Sequence, residues 1–354
     1  MDMKRVILTA IGCPGGPSII QMLRDDADIY IIGTDIRNDM LSKYLVDEFY
    51  QVPAGKSEDF IPKMKELVVK TNAEVILPLA TFELLTLSKH ISEFENLGCK
   101  VCVSNYESLN IANNKSLLYE YFKTKNYTPE YRILENSKNL KNLANEIGFP
   151  ANKVVVKPFI SHGSIGLRII DNDVDLFEQY RHHKPNNLII PMDLACLIFN
   201  KKSFDDIMLS EYLPGKEYGV DILIHPITRE IIKIIARDNG DVFHSEISNG
   251  KIIEYVEIIN IAKDIVSCLN LSYTINIDFK LDKNNKPKVL EINPRLPATA
   301  FLPYSAGFNF PLYSVYLALG IDIPVKSISK DRKIFSYRGF AVINSENKII
   351  DKAL

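Results

Sequence analysis

A lysine at the end of an apolar strand stands just before a loop of small residues. The strand-like run Val154–Pro158 contains Lys157, and residues 161–166 read Ser-His-Gly-Ser-Ile-Gly. Small residues let backbone N–H groups approach a ligand closely, which is the arrangement that a polyphosphate needs beside a lysine. The same pattern also fits a surface hairpin with a solvated lysine, so the phosphate interpretation needs support from elsewhere in the chain.

Three oxygen-bearing side chains follow later. Asp278 lies in the alternating run Ile275–Phe279, and Glu291 and Asn293 lie in the run Leu290–Arg295. Since Glu291 and Asn293 are two residues apart, they share one face of a strand, and a hairpin turn of Asp-Lys-Asn-Asn brings Asp278 opposite them. Two carboxylates and an amide oxygen form a hard ligand set that suits Mg²⁺. The alternative is a strand pair whose acidic ends face water, but unpaired burial in an apolar strand would be costly.

The elements that must position these residues differ between the two parts of the chain. From Arg5 to Val103, short apolar runs alternate with amphipathic stretches, which predicts a parallel sheet covered by helices. After about residue 105, strands joined by hairpins predict an antiparallel α+β organisation. Residues 331–354 contain two more strand-like runs, which we expect to dock on the preceding domain.

The first strand runs into a glycine-rich segment, Gly12-Cys-Pro-Gly-Gly-Pro-Ser18. A dinucleotide site would be one interpretation, with Asp35 after the second strand as the acid that binds the ribose. However, the glycines are spaced G-x-x-G-G rather than G-x-G-x-x-G. We therefore favour a turn or a loop that faces the substrate.

Composition limits the function classes. The chain has 354 residues, and 42 Lys and Arg against 44 Asp and Glu give a net charge of −2, so no nucleic-acid partner is expected. No run approaches the roughly 18 apolar residues of a membrane span, so no membrane partner is expected either. Five cysteines without framework spacing fit a reduced, cytoplasmic chain.

The combination of motifs resembles the ATP-grasp superfamily, and within it the relatives of the large subunit of carbamoyl phosphate synthase. The resemblance extends from about residue 4 to about residue 320, and four separated motifs occur in the same order. It implies nucleotide-binding roles for Lys115, Lys157, Gly163, Ser164, Gly166, Glu211, Tyr212, Leu213 and Glu217. It implies metal ligation by Asp278, Glu291 and Asn293, and catalytic roles for Lys157 and for Arg295, which would steady the transferred phosphoryl group.

The resemblance also implies the fold class. A Rossmann-like α/β preATP-grasp domain over residues 1–110 would precede an α+β ATP-grasp domain over 111–330. Residues of about 120–200 would form the subdomain with the mobile glycine-rich loop, and 331–354 would be docked strands. Two departures from the family pattern stand out: the loop has Ser161-His162 where one more glycine is common, and the first metal ligand is Asp rather than the Glu or Gln of some relatives.

The function implied is an ATP-dependent ligase that joins a small-molecule carboxylate to an amine or another nucleophile through an acyl phosphate. ATP and Mg²⁺ are the expected cofactors, with Mn²⁺ as the alternative metal, and a homodimer is one expected assembly. Phosphorylation of bicarbonate or carbamate is a second hypothesis, although only one ATP-grasp unit is visible where the full synthase subunit contains two. A non-catalytic ATP-binding module is the third. Candidate walls of the substrate pocket are Arg237, His244, Tyr304 and residues 296–307.

Overall fold

The computed structural model describes residues 3–25, 27–161, 163–182, 188–200, 204, 206–240, 242–243, 246–247, 249–324, 327–336, 340–343 and 349–353. The chain forms two compact units. The first contains Met1–Ala112, Tyr218–Asp278 and Ile292–Leu354, and the second contains Asn113–Glu217 and Phe279–Glu291. Each compact unit combines segments that are distant in the sequence. The units therefore do not test the domain boundaries predicted at residues 110 and 330, which stay a prediction.

The N-terminal part of the first unit is a five-stranded sheet in the order β3-β2-β1-β4-β5, with every neighbouring pair parallel. The strands are β1 (Lys4–Leu8), β2 (Ile29–Asp35), β3 (Glu48–Gln51), β4 (Val75–Leu77) and β5 (Lys100–Val101). The helices are α1 (Gly16–Asp25), α2 (Phe60–Thr71), α3 (Leu84–Lys89), α4 (Ile91–Glu95) and α5 (Tyr106–Ala112), with a 3₁₀ turn at Leu41–Tyr44.

Alternation along the strands gives this sheet two apolar faces. Ile7 and Ile76 pack with α2 and α3 in one core cluster, whereas Val6, Leu8 and Leu77 pack with α1 in another. Because successive strand residues point to opposite faces, a nearly continuous apolar strand must be covered on both sides. The predicted Rossmann-like α/β arrangement is confirmed.

The second unit has a five-stranded sheet in the order β6-β10-β7-β8-β9, in which only the β8 and β9 pair is parallel. Its strands are β6 (Tyr131–Ile133), β7 (Val154–Pro158), β8 (Arg168–Ile170), β9 (Ile189–Ile190) and β10 (Ile207–Glu211). Its helices are α6 (Lys115–Tyr121), α7 (Leu140–Glu146), α8 (Leu176–His182) and α9 (Met192–Ile198), with 3₁₀ turns at Lys123–Lys125 and Ser137–Asn139.

A six-stranded sheet follows in the order β17-β16-β11-β12-β15-β18. Its strands are β11 (Glu217–Ile224), β12 (Ile231–Asp238), β15 (Asn249–Ile253), β16 (Tyr273–Leu281), β17 (Pro287–Asn293) and β18 (Lys333–Phe335), and β13 (Val242–Phe243) pairs with β14 (Glu246–Ile247). The helices are α10 (Val256–Leu269), α11 (Phe301–Ser305) and α12 (Phe310–Leu319). The predicted hairpin closes at Asp282, whose carboxylate accepts hydrogen bonds from two backbone N–H groups of the turn.

The C-terminal strands divide between two sheets. β18 pairs with β15, so it is part of the six-stranded sheet, whereas β19 (Phe340–Ile343) and β20 (Ile349–Ala353) form a separate antiparallel pair. Within the first unit, residues of α11 and α12 share the core cluster of β1, β4 and α1. None of the helices in the described part of the chain is long and apolar enough to cross a membrane.

Candidate functional site

Lys115 is the first residue of α6 and lies beside Glu291 of β17. The side chain of Asn114 caps the helix by accepting hydrogen bonds from two backbone N–H groups, at 2.9 and 3.2 Å. The Lys115 side chain is only 9% exposed, and its ammonium lies 2.8 Å from a Glu291 carboxylate oxygen. It also lies 3.5 Å from the Ser161 hydroxyl at the start of the glycine-rich loop. The helix start thus holds a buried cation against the strand predicted to bind the metal.

Lys157 of β7 is a further buried lysine of this unit. Its Nζ donates to the Tyr119 hydroxyl at 2.9 Å, and that hydroxyl donates to the Leu290 carbonyl at 2.9 Å. Burial and, to a smaller extent, the nearby Lys115 ammonium together lower the pKa of Lys157 to about 7, while Glu291 opposes the shift. Burial therefore disfavours the charged form of Lys157 in the free protein. A polyphosphate that binds beside Lys157 would stabilise this charged form. Tyr119 was missed in the sequence, although it lies four residues after Lys115 and therefore on the same helix face.

Among the described residues of the loop between β7 and β8, three have left-handed backbone. Gly163 has φ +57°, Ser164 +56° and Gly166 +80°. A Cβ on Gly163 would meet nothing within 4 Å, whereas one on Gly166 would lie 2.7 Å from the Pro158 ring. Gly166 is thus fixed by packing and Gly163 lies in open space. His162, which departs from the family pattern, lies outside the described residues.

We expect this loop to close over a nucleotide. Exposed backbone with few apolar contacts opens easily, and phosphate oxygens offer new charge-assisted hydrogen bonds to its N–H groups. Hydrogen exchange at residues 163–166 should therefore slow when Mg²⁺ and a non-hydrolysable ATP analogue are added. Exchange at the 3₁₀ turn that Asn136 caps serves as the internal control and should not change. Exchange that is already slow without nucleotide would show that the loop is structural.

The predicted adenine and ribose residues lie around the end of β10 and the start of β11. Glu211 pairs through its backbone N–H and its carboxylate with the backbone of Glu130, at 2.9 and 3.1 Å. Leu213 is buried, and the Tyr212 ring lies 5.8 Å from the Lys153 ammonium. Glu217 lies 3.7 Å from the Lys280 ammonium. Their nucleotide-binding roles stay a prediction.

In the first unit, Asp278, Asn293 and Arg295 are brought together. Asn293 Nδ2 donates to Asp278 Oδ2 at 3.0 Å, and Arg295 donates to Asn293 Oδ1 at 3.5 Å. These contacts orient the amide oxygen of Asn293. Glu291 precedes Asn293 by two residues on β17. The carboxylates of Asp278 and Glu291 and the amide oxygen of Asn293 are hard oxygen donors of the kind that Mg²⁺ prefers. The residues therefore fit the metal that the family resemblance implies.

Glu83 is a buried acid that the sequence analysis did not single out. It follows β4, is 5% exposed, and accepts hydrogen bonds from the Thr9 hydroxyl and from the Ala80 N–H at 3.0 Å. Burial raises its pKa to about 7 despite these hydrogen bonds. Arg295 Nε donates to Thr81 at the same edge, at 3.1 Å. β1 and β4 are the neighbouring strands at which the sheet order reverses, where α/β folds bind ligands.

The N-terminal glycines pack against protein rather than leave space for a pyrophosphate. The Gly12 N–H donates to Asp35 Oδ2 at 2.8 Å, and the Arg37 backbone N–H donates to the other oxygen at 2.9 Å. A Cβ on Gly15 would lie 2.8 Å from the Ala298 Cα. The carboxylate that a dinucleotide ribose would need is therefore occupied by its own loop.

We accordingly expect no saturable binding of NAD or FAD, while an ATP analogue binds. Titration calorimetry with these ligands under identical conditions measures this directly. Micromolar affinity for NAD, lost in Asp35→Asn, would contradict the prediction and assign the glycine segment to a dinucleotide.

The predicted walls of the substrate pocket lie in different surroundings. Arg237 is buried close to Asp278, whereas the Tyr304 hydroxyl donates to Asp25 at 2.9 Å. His244 lies outside the described residues. Asp221, the buried partner of Arg237, was not predicted, although it is the single charge within the apolar run Val220–Ile224.

Two parts of the sequence match known family models. Residues 203–341 match the family described as "ATP-grasp in the biosynthetic pathway with Ter operon", and residues 7–102 match the "PylC-like, N-terminal domain". Among curated proteins, no match is found. Neither family description names carbamoyl phosphate synthase, so that finer likeness stays a prediction.

Solved structures share the fold at low identity. An ADP complex of purK, an N5-carboxyaminoimidazole ribonucleotide synthetase, has a TM-score of 0.69 and 13% identity, over 92% of this chain and 79% of that one. The biotin carboxylase domain of Hydrogenobacter thermophilus 2-oxoglutarate carboxylase, with MgADP and bicarbonate, has 0.65 and 17%, over 94% and 74%. An L-amino acid ligase from Bacillus licheniformis has 0.60 and 15%, over 89% and 74%.

Proposed function

We propose that this chain is an ATP-grasp enzyme, an ATP-dependent ligase that joins a small-molecule carboxylate to an amine. The observation that carries the proposal is the pairing of two buried lysines with one acid. Lys115 contacts Glu291 directly, and Lys157 is held by a tyrosine that bonds to the residue before Glu291. The two lysine ammonium groups can bind phosphate oxygens, and the Glu291 carboxylate beside them can bind the metal ion that accompanies a polyphosphate.

The reaction needs positioning and charge neutralisation rather than an enzyme nucleophile. A substrate carboxylate oxygen attacks the γ-phosphorus of ATP, the bond to the leaving ADP oxygen breaks, and an acyl phosphate forms. An amine then attacks the acyl carbon, the carbon–oxygen bond to phosphate breaks, and the amine proton passes to solvent. Lys115, Lys157 and Arg295 would offset charge on the transferred phosphoryl oxygens.

Asp278, Glu291 and Asn293 would hold Mg²⁺, with Mn²⁺ as the alternative. The metal supplies Lewis-acid stabilisation of the phosphate oxygens when it is bound. Two of the similar structures are complexes with ADP and with MgADP, which supports this choice of nucleotide and metal. The acid substrate would bind at the edge of β1 and β4 where Arg295 contacts Thr81, since this is the switch point of the parallel sheet.

Compartment, partners and assembly complete the proposal. All five cysteines are free, which is typical of proteins in the reducing cytoplasm and supports a cytoplasmic location. We propose small-molecule carboxylate and amine substrates, no nucleic-acid partner, and a homodimer as the assembly to test by light scattering.

The decisive experiment is ADP release measured over a panel of carboxylates crossed with amines, with mass detection of the product. Bicarbonate belongs in the panel, because its phosphorylation is the alternative reaction. A product with the mass of acid plus amine minus water supports the ligase. ADP formed with bicarbonate alone favours the alternative, and ATP binding without turnover on any pair favours a non-catalytic module.

A further inference from the structure

A buried polar network lies directly behind Asp278. The Arg237 guanidinium and the Asp221 carboxylate form an ion pair at 3.0 Å, and their side chains are 3% and 0% exposed. A second guanidinium nitrogen lies 3.9 Å from Asp278 Oδ1. The remaining nitrogen donates to the side chain of Asn239, which is also buried. The guanidinium therefore joins a fully buried acid to a residue of the proposed metal site.

Asn276 extends the network to Asn293, a second residue of the proposed metal site. Its amide nitrogen donates to the second Asp221 oxygen at 3.1 Å, and its amide oxygen accepts from Asn293 at 3.3 Å. Asn276 and Asp278 alternate on β16, so their side chains share a face. Asp221 thus connects to Asp278 through Arg237 and to Asn293 through Asn276.

The backbone opposite Arg237 leaves space for the guanidinium. Gly219 is the cross-strand partner of Arg237, and a Cβ on Gly219 would lie 2.4 Å from the guanidinium carbon. The Arg237 side chain consequently lies flat over β11 and reaches across the sheet toward β16. Its position is determined by packing as well as by hydrogen bonds.

Charge explains why the network contains an acid. An unpaired guanidinium beside Asp278 would repel a divalent cation, whereas a guanidinium neutralised by Asp221 can still donate hydrogen bonds while adding no net charge. Buried groups that hydrogen-bond to metal ligands commonly orient those ligands and tune the affinity for the metal. Breaking a buried pair by removing one partner leaves an uncompensated charge in the low-dielectric interior.

We propose that Asp221, Arg237 and Asn276 are positioning residues that hold Asp278 and Asn293 in register for Mg²⁺-nucleotide and keep the surroundings of the metal neutral. This inference rests on the proposed function, since it assumes that Asp278 and Asn293 bind the metal. Asp221, Arg237 and Asn276 lie outside the motifs on which the family resemblance rests.

The test is the metal affinity of Asp221→Asn. Mn²⁺ binding is followed by electron paramagnetic resonance in the presence of a non-hydrolysable ATP analogue, so that turnover is not needed. We expect the Kd for Mn²⁺ to rise about 10-fold to 100-fold, the range for lost partners of metal ligands. Asp35→Asn removes another buried, Arg-paired acid from the same compact unit, and it should leave the Kd for Mn²⁺ unchanged.

A double variant separates charge from folding. Asp221→Asn with Arg237→Gln restores neutrality with side chains that can still hydrogen-bond, so it should recover most of the metal affinity even if the single variant folds poorly. An unchanged Kd in Asp221→Asn, or a double variant as weak as the single one, would overturn the inference. Failure of the wild-type protein to bind Mn²⁺ with the nucleotide would instead overturn the proposed function.

Discussion

Glu291→Gln should reduce ADP formation at least ~100-fold while leaving the fold intact, on the scale of losing one electrostatic stabiliser. The amide is nearly isosteric with the carboxylate, but it supplies no negative charge to a divalent cation. The carboxylate also faces the Lys115 ammonium at 2.8 Å, so the variant leaves that buried cation without this counter-ion until phosphate binds. Steady-state ADP release measures the loss of turnover, and thermal melting of the same sample measures whether the fold is intact.

Glu146→Gln is the matched control for this substitution. It makes the same chemical change in the same compact unit, at a half-exposed carboxylate that pairs with Arg132. Exposed ion pairs contribute little, so its turnover and melting temperature should both match the wild type. Wild-type rates in Glu291→Gln would remove Glu291 from the metal site.

Lys157→Met should abolish turnover and at the same time stabilise the protein. Methionine keeps nearly the length of the buried side chain but removes the charge that offsets phosphate oxygens, so we expect a loss of ADP formation of roughly 100-fold or more. The hydrogen bond of the ammonium goes to the neutral Tyr119 hydroxyl, which supplies no counter-charge. Burying an ammonium group whose hydrogen-bond partner is neutral opposes folding. Methionine is uncharged, so the variant avoids this desolvation penalty.

The pH dependence of this stabilisation has a definite sign. The pKa of Lys157 is about 7 in the folded protein and 10.5 when unperturbed. Below pH 7 the lysine is charged in both states and the folded state bears the whole penalty. Between pH 7 and 10.5 the unfolded state binds more protons, so wild-type stability rises with pH. The melting temperature of Lys157→Met should therefore exceed that of the wild type most at pH 7 and below, and the difference should shrink toward pH 10.5.

Lys153→Met serves as the control, because Lys153 is 43% exposed and pairs with Asp171 just outside the same strand. Neither turnover nor the pH dependence of melting should change much in that variant. Equal melting curves for wild type and Lys157→Met at about pH 6, below the folded pKa of the lysine, would show that Lys157 is not buried as a charge.

The kinds of secondary-structure elements and their order could be predicted from the amino-acid sequence. Apolar runs up to Val103 that alternate with amphipathic stretches required a sheet covered on both faces, and the structure has one, with Ile7 and Leu8 in separate core clusters. The turn at Asp282 followed from local chemistry, because the Asp282 carboxylate accepts hydrogen bonds from nearby backbone N–H groups. Residue types and spacing also selected Lys157 as a candidate phosphate-binding group and Glu291 as a candidate metal ligand.

The groups that surround Lys157 and Glu291 became known only from the packing of the folded chain. That Lys115 faces Glu291, that Tyr119 holds Lys157, and that Asp221 lies behind Asp278 all depend on contacts between strands and helices far apart in the chain. A sequence pattern reports the face on which a side chain lies but not what packs against that face. Charge state, burial and hydrogen-bond partner are set by that packing, which is why the lowered pKa of Lys157 and the Asp221–Arg237 ion pair beside Asp278 could not be predicted from the sequence.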